Sequence, residues 1–279
     1  MSFNFVKSDG NFILIFNSHH ETYIMIKLLF SLKILHKKLL PVILILCSLT
    51  LIQCKVNSSV GGKNKPKGIR VLIVGGGSSH DFIKWYKQAD ATTLSKDGFA
   101  TVTYTGNTDS ILNFLPNTDV LYLSNNQPIA NPAVRQAIFN HLNAGKGLVL
   151  AHAALWYNWK DWPEYNLQLV SGGSRGHNKY GPFEVTVINQ NHPVTKGVDT
   201  KFKLKDELYY YITDPAGPGI EVLANAKAEG SDKIYPSVFI IKNPKARIVG
   251  IALGHDAEAH DIAPYQTLLR NAVKWAARK

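Results

Sequence analysis

Residues 148–156 read LVLAHAALW: four apolar residues of strand character, then a histidine set between alanines. A buried strand that stops on small residues is where α/β enzymes often present a reactive group. Just upstream, Pro132 opens a helix over Ala133–Asn143 with Asn131 as its cap, and Gly145 ends it. Further toward the N-terminus, Ile69–Val74 (IRVLIV) closes on Gly75-Gly76-Gly77, Phe82–Leu94 has helical spacing, and Phe99–Tyr104 and Asp119–Leu123 read as strands. Strands alternating with helices of this length predict an α/β fold of three layers, α/β/α, around a mainly parallel sheet. Downstream the pattern changes. Phe183–Ile188, Glu207–Ile212, Glu221–Ala226, Ser237–Ile241 and Arg247–Leu253 read as strands joined by turns, which predicts antiparallel strands extending that sheet. Pro264–Ala277 closes the sequence as an amphipathic helix.

The 279 residues are 45% hydrophobic, enough for a sizeable core, and carry a formal charge of +11. That charge is uneven. Residues 1–68 hold nine Lys against two acidic residues, whereas residues 69–279 hold 22 basic against 18 acidic ones. The excess belongs to the N-terminal segment, so no nucleic-acid footprint is expected on the domain. Lys27, Lys33, Lys37 and Lys38 precede an apolar stretch of 14 residues, Leu39–Ile52, short for a membrane span and suited to a signal sequence. It ends in Leu51-Ile52-Gln53-Cys54, similar to a lipoprotein box, with Gln53 where a small residue is preferred. The expected organisation is an export signal over 1–54, a flexible Gly/Ser/Asn/Lys tether over 55–68 and a folded domain over 69–279. Met25 is an alternative start that would leave 1–24 untranslated. Cys54 is the expected lipidation site, and the expected location is periplasmic or outer-membrane, with the membrane reached through that anchor. The only two cysteines are Cys47 and Cys54, so the domain can hold no disulfide and no thiolate nucleophile.

Four histidine-bearing loops follow expected strands: GGGSSHD (75–81), AHAALW (151–156), GGSRGHNKYGPF (172–183) and LGHDAEAHD (253–261). In an open α/β sheet, ligands bind beyond the carboxyl ends of the strands, so His80, His152 and His255 can converge there. Asp206 and Glu207 offer carboxylates to the same place. His255-Asp256 is the strongest pair, because imidazole plus carboxylate is a ligand set for zinc or manganese. The glycine run lacks both G-x-G-x-x-G and P-loop spacing, so no nucleotide is expected. His192, before Pro193, reads as structural; His141 and His260 read as surface residues. Trp156, Trp159 and Trp162 with Tyr157 and Tyr165 are either core or a platform for a sugar ring.

Taken together these residues resemble the ThuA-like (trehalose utilization) family across 69–277. The resemblance rests on the strand-GGG-x-x-HD opening, His152-Ala153-Ala154, Trp162-Pro163-Glu164-Tyr165, Gly172-Gly173 with His177, and His192-Pro193. It continues through Asp206-Glu207-Leu208-Tyr209, Leu253-Gly254-His255-Asp256 and Asn271–Ala276. Tyr235–Phe239 departs from it, lacking a Trp at the end of the Pro-containing strand. The resemblance implies a flavodoxin-like, class I glutamine amidotransferase-like fold whose nucleophile turn here carries His152 in place of Cys, which excludes glutamine hydrolysis. It further implies work on a carbohydrate: a disaccharide, glycoside or keto-sugar. The resulting expectation is a hydrolase or lyase with His152, Glu207, His255 and Asp256 in acid–base roles. His80, Asp81, Trp156 and His177 would bind substrate, and a divalent ion, zinc or manganese, would sit on His152, Glu207 and His255. The alternative is a non-catalytic carbohydrate-binding or complex-assembly lipoprotein.

Overall fold

Ile69–Val74 is apolar at nearly every position because both faces of its strand are covered, the signature of a parallel sheet between helix layers. The computed structural model describes residues 2–8, 11–18, 21–23, 68–157 and 160–279. Residues 24–54 of the expected export signal, with Cys54, almost all of the tether, and Trp159 lie outside the described residues. Two units are present, Met1–Gly61 and Gly62–Lys279. In the first, β1 (Ser2–Ser8), β2 (Asn11–Ser18) and β3 (Glu21–Tyr23) pair antiparallel in that order.

The second unit is built on a nine-stranded sheet. Its parallel part contains β4 (Ile69–Val74), β5 (Ala100–Thr105), β6 (Val120–Leu123), β7 (Gly147–Ala151) and β14 (Ile248–Ile251). In space these run β5-β4-β6-β7-β14, the doubly wound order of flavodoxin-like folds, with its switch point between β4 and β6. Antiparallel β13 (Tyr235–Ile241), β12 (Ile220–Ala228), β9 (Gly181–Val187) and β10 (Lys201–Asp206) continue the sheet beyond β14. Side chains alternate between two apolar layers. Val71, Ile73, Val149 and Val249 pack with helices Ile83–Asp90 and Ala263–Ala276, while Leu72, Leu121, Leu148 and Leu150 pack with helix Pro132–Asn143. Asn131 caps that last helix, its Oδ1 accepting from the Ala133 amide at 2.9 Å.

Three sequence readings need correction. The strand expected over Glu207–Ile212 starts two residues later as β11 (Tyr209–Thr213), and it pairs with β8 (Gly172–His177) in a separate two-stranded sheet. Asp206 accepts the Glu207 amide at 2.6 Å, which turns the chain between β10 and β11. Neither β8 nor β10 was foreseen. β8 is glycine-rich and so looks like a loop, but β10 (KFKLKD) alternates strictly, burying Phe202, Leu204 and Asp206 and exposing Lys201, Lys203 and Lys205. Lysines on the outermost strand discourage edge-to-edge pairing. Third, His141 and His260 are buried, because each finds a backbone carbonyl: His141 that of Gly147 and His260 that of Gly254.

Candidate functional site: four side chains at the strand ends

At the end of β7 the chain turns with His152 at φ +42°, a left-handed conformation that a non-glycine residue holds only when its surroundings enforce it. Here they do. The ring is completely buried, stacks on Tyr209 at 4.3 Å between centroids, and places Nδ1 2.8 Å from the Ala252 carbonyl. A carbonyl has no proton to give, so Nδ1–H donates and the Nε2 of the neutral ring carries the lone pair. That Nε2 has no hydrogen-bond partner and faces Glu207 Oε2 at 3.6 Å.

Two other loops bring rings to the same carboxylate. The loop after β14 sets His255 Nδ1 3.3 Å from Glu207 Oε2, and the loop after β4 sets His80 Nε2 3.9 Å from it. Both nitrogens are buried and unpartnered, like His152 Nε2. Ligand atoms of His80, His152, Glu207 and His255 all lie within 4.8 Å of one another. Unprotonated, three imidazole lone pairs aimed at a carboxylate are a repulsive arrangement unless a cation or proton lies among them. The electrostatics agree. Burial opposes charge on Glu207, but the His152 and His255 imidazoles beside it hold the carboxylate well below its usual range. His255 is raised by Glu207 against the cost of burial. His80 is lowered to about 3 by burial and by the two neighbouring imidazoles. Three imidazoles and one carboxylate, each with an open donor atom, fit a divalent ion such as zinc or manganese.

Supporting groups fix these rings. Ser79 Oγ lies 2.5 Å from His80 Nδ1 and accepts from Asn126 Nδ2 at 2.5 Å, so the loops after β4 and β6 are joined at the switch point. Gly77, at φ +131°, allows this: a Cβ there would lie 1.6 Å from Asn126 Oδ1. The glycine run is therefore a close-approach device. Asp206, fully buried, accepts from the amides of Glu207 at 2.6 Å and Gly254 at 2.8 Å, tying β10 to the loop that carries His255. Burial raises this carboxyl against the pull of His152 and those amides. The sequence offered this carboxylate to the pocket beside Glu207; its inward position on the alternating β10 is what buries it.

A cavity of about 210 Å³ opens beside the cluster, lined among others by Asn126, Trp156, His177, Glu207 and Tyr209. His177 is exposed at the end of β8, with Nδ1 3.8 Å from Glu207 Oε1 and 2.7 Å from the Asn178 carbonyl. Trp156 flanks both His177 and Tyr209. Trp162 and Tyr165 are core residues. Asp81 and Asp256 do not join the cluster. Asp81 accepts the Lys84 amide at the start of a helix, and Asp256 caps helix Ala257–His260 while accepting from Tyr180. Their carboxylates are already committed to helix starts, and the buried carboxylate beside the rings is Asp206. His192 accepts the Val194 amide in a turn and packs on Trp275.

Comparisons place this geometry among known proteins. The family described as trehalose utilisation, ThuA, matches residues 70–276. Among solved structures, a ThuA-like protein of Parabacteroides merdae is similar with a TM-score of 0.66 and 23% identity, covering 76% of this chain and 90% of the other. A ThuA-like protein of Bacteroides uniformis is similar with a TM-score of 0.62 and 23% identity, covering 75% and 91%. A cytoplasmic protein of Salmonella typhimurium shares the fold at a TM-score of 0.52 and 13% identity, covering 76% and 100%. No curated protein matches the sequence.

Proposed function

The chain belongs to the ThuA family, described as trehalose utilisation, which points to a carbohydrate-related role, and we propose that it acts on a sugar through a cation-binding acid–base centre. The observation that carries this reading is the set of three buried, unpartnered imidazole nitrogens around one carboxylate. In this reading His80 Nε2, His152 Nε2, His255 Nδ1 and a Glu207 oxygen hold a divalent ion, which when bound polarises a carbonyl or a water. The protein's own groups do the rest. His177, exposed at the cavity and 3.8 Å from Glu207, is placed to take or give a proton at the substrate. Trp156 supplies a face for a sugar ring, and Asn126 and Ser79 supply polar contacts at the mouth. His152 is held in one tautomer by the Ala252 carbonyl, which keeps its lone pair turned to the ion. A purely structural His152 would need partners for both ring nitrogens, and it has one.

The proposal includes the compartment: a lipoprotein anchored through Cys54 and facing the periplasm or the cell exterior. Cys54→Ser then abolishes incorporation of labelled fatty acid; continued labelling of that variant refutes the anchor. For the site, the purified full chain is stripped with chelator and titrated with zinc and with manganese. Its turnover of disaccharides, glycosides and their keto derivatives is then followed with and without the ion. Cation-dependent turnover supports the enzyme. Sugar binding without turnover supports the alternative of a carbohydrate-binding lipoprotein.

A further inference from the structure

Behind the cluster lies a second histidine–carboxylate pair whose groups are all satisfied. His260 and Asp90 are buried, with Nδ1 to Oδ1 at 2.7 Å. The other Asp90 oxygen accepts from Tyr122 at 2.6 Å and from Tyr265 at 3.2 Å. His260 Nε2 lies 3.0 Å from the Gly254 carbonyl, which also accepts from the Tyr86 hydroxyl at 2.7 Å. The carbonyl can only accept, so Nε2 carries a proton. Asp90 thus receives hydrogen bonds on both oxygens, from the His260 ring on one and from two hydroxyls on the other. Both nitrogens of the His260 ring are in use, Nε2–H on the Gly254 carbonyl and Nδ1 on Asp90. Burial alone would lower this imidazole, but Asp90 and the bond to Gly254 outweigh it and raise it.

The consequence falls on the residue next door. Gly254 sits at φ +128°, its amide held by Asp206 and its carbonyl by His260 and Tyr86. One peptide is gripped on both sides immediately before His255. We propose that the Asp90–His260 pair, with Tyr86, is a positioning device that locks the Gly254 carbonyl and thereby aims His255 Nδ1 at Glu207. Its value for cation binding rests on the function proposed above; the aiming of the ring does not. Conserving the bulk of the ring while removing one donor tests it, and His141 supplies the control. His141 is also a buried histidine bonded to a backbone carbonyl, but its partner is Gly147, at the start of β7 rather than its end.

The test compares the full-length wild type with His260→Gln, the milder Tyr86→Phe and the control His141→Gln. Three readouts are taken: zinc affinity by titration, thermal midpoint, and the NMR contact between the rings of His80 and His255, whose centroids lie 4.8 Å apart. The expected result is a loss of zinc affinity of about tenfold or more in His260→Gln, the size typical of groups that orient a ligand. Tyr86→Phe shows a smaller loss, and both weaken the His80–His255 contact. His141→Gln lowers the midpoint but leaves affinity and contact as in the wild type. If wild type takes up no zinc, the cation reading fails while the ring contact still decides the positioning role. An unchanged ring contact in both His260→Gln and Tyr86→Phe overturns the proposal, as does a His260 Nε2 that carries no proton. Should His260→Gln fail to fold, Tyr86→Phe carries the same decision.

Discussion

Two histidine–carboxylate groups lie on either side of the Gly254-His255 turn, and they differ in one respect. Around Asp90 every donor has an acceptor: His260 uses both nitrogens and the carboxylate receives three hydrogen bonds. Around Glu207 three imidazole nitrogens are buried without a partner. Folding tolerates an unsatisfied buried polar atom at a cost of about 1–3 kcal/mol each, so a cluster of three is not a packing solution. The satisfied pair behaves as structure. In the proposed function the unsatisfied cluster is the cation site. Substitutions in the two groups therefore separate stability from binding.

The largest effect on binding is expected from Glu207→Gln, which keeps the shape and removes the one negative charge among the donors. Zinc or manganese affinity falls by about a hundredfold, and the thermal midpoint of the ion-free variant also falls, because the ionised Glu207 itself favours the fold. A variant that binds as wild type places Glu207 outside the centre. His152→Ala and His255→Ala come next, each weakening the same affinity by about tenfold or more. The opposite pattern, a midpoint lowered by several degrees with binding intact, would make His152 an ordinary core histidine.

Acid sensitivity is a third contrast. His80 is lowered to about 3 in the fold, against about 6.5 in an unfolded chain. Between those values the unfolded state binds the extra proton. The ion-free protein therefore gains stability as pH rises through this window and loses it as pH falls, with a limiting slope of about 1.4 kcal/mol per pH unit for one proton. The depressed Glu207 adds loss below its unfolded value of about 4.3. His80→Gln flattens the slope between about pH 3 and pH 6.5 in denaturant titrations. An identical pH profile in that variant would mean that His80 is not the group kept neutral. The smallest effect is reserved for the capping carboxylates: Asp81→Ala and Asp256→Ala each cost about 1 kcal/mol of stability and leave cation affinity unchanged. A loss of affinity in Asp256→Ala would return that residue to the centre.

How far the sequence carried follows from how each element signals itself. The parallel half was legible because strands buried on both faces read as unbroken apolar runs, as in Ile69–Val74 and Leu148–Ala151. The three histidines of the cluster were legible because each lies in the loop that follows such a run. β8 was hidden because Gly172, Gly173 and Gly176 give no apolar pattern to a strand that must pass close to Ile212 and Tyr157. β10 was overlooked although its alternation is regular, so Asp206, expected to open a strand beside Glu207, instead ends one. His260 was misplaced because its partners, Asp90 and the Gly254 carbonyl, come together only through tertiary contact, one 170 residues away in sequence. Asp81 and Asp256 stand beside site histidines in the chain, yet both are taken by helix starts, which sequence adjacency does not reveal.

The proposed function turns on whether His80, His152, Glu207 and His255 together hold one cation. Elemental analysis of the full chain, purified without chelator and again after stripping and reloading, measures it directly. One divalent ion per chain is expected, removed by chelator, restored by zinc or manganese, and absent from His152→Ala and Glu207→Gln while both stay folded. A wild type that takes up no ion after reloading, or variants that load as fully as the wild type, would contradict it.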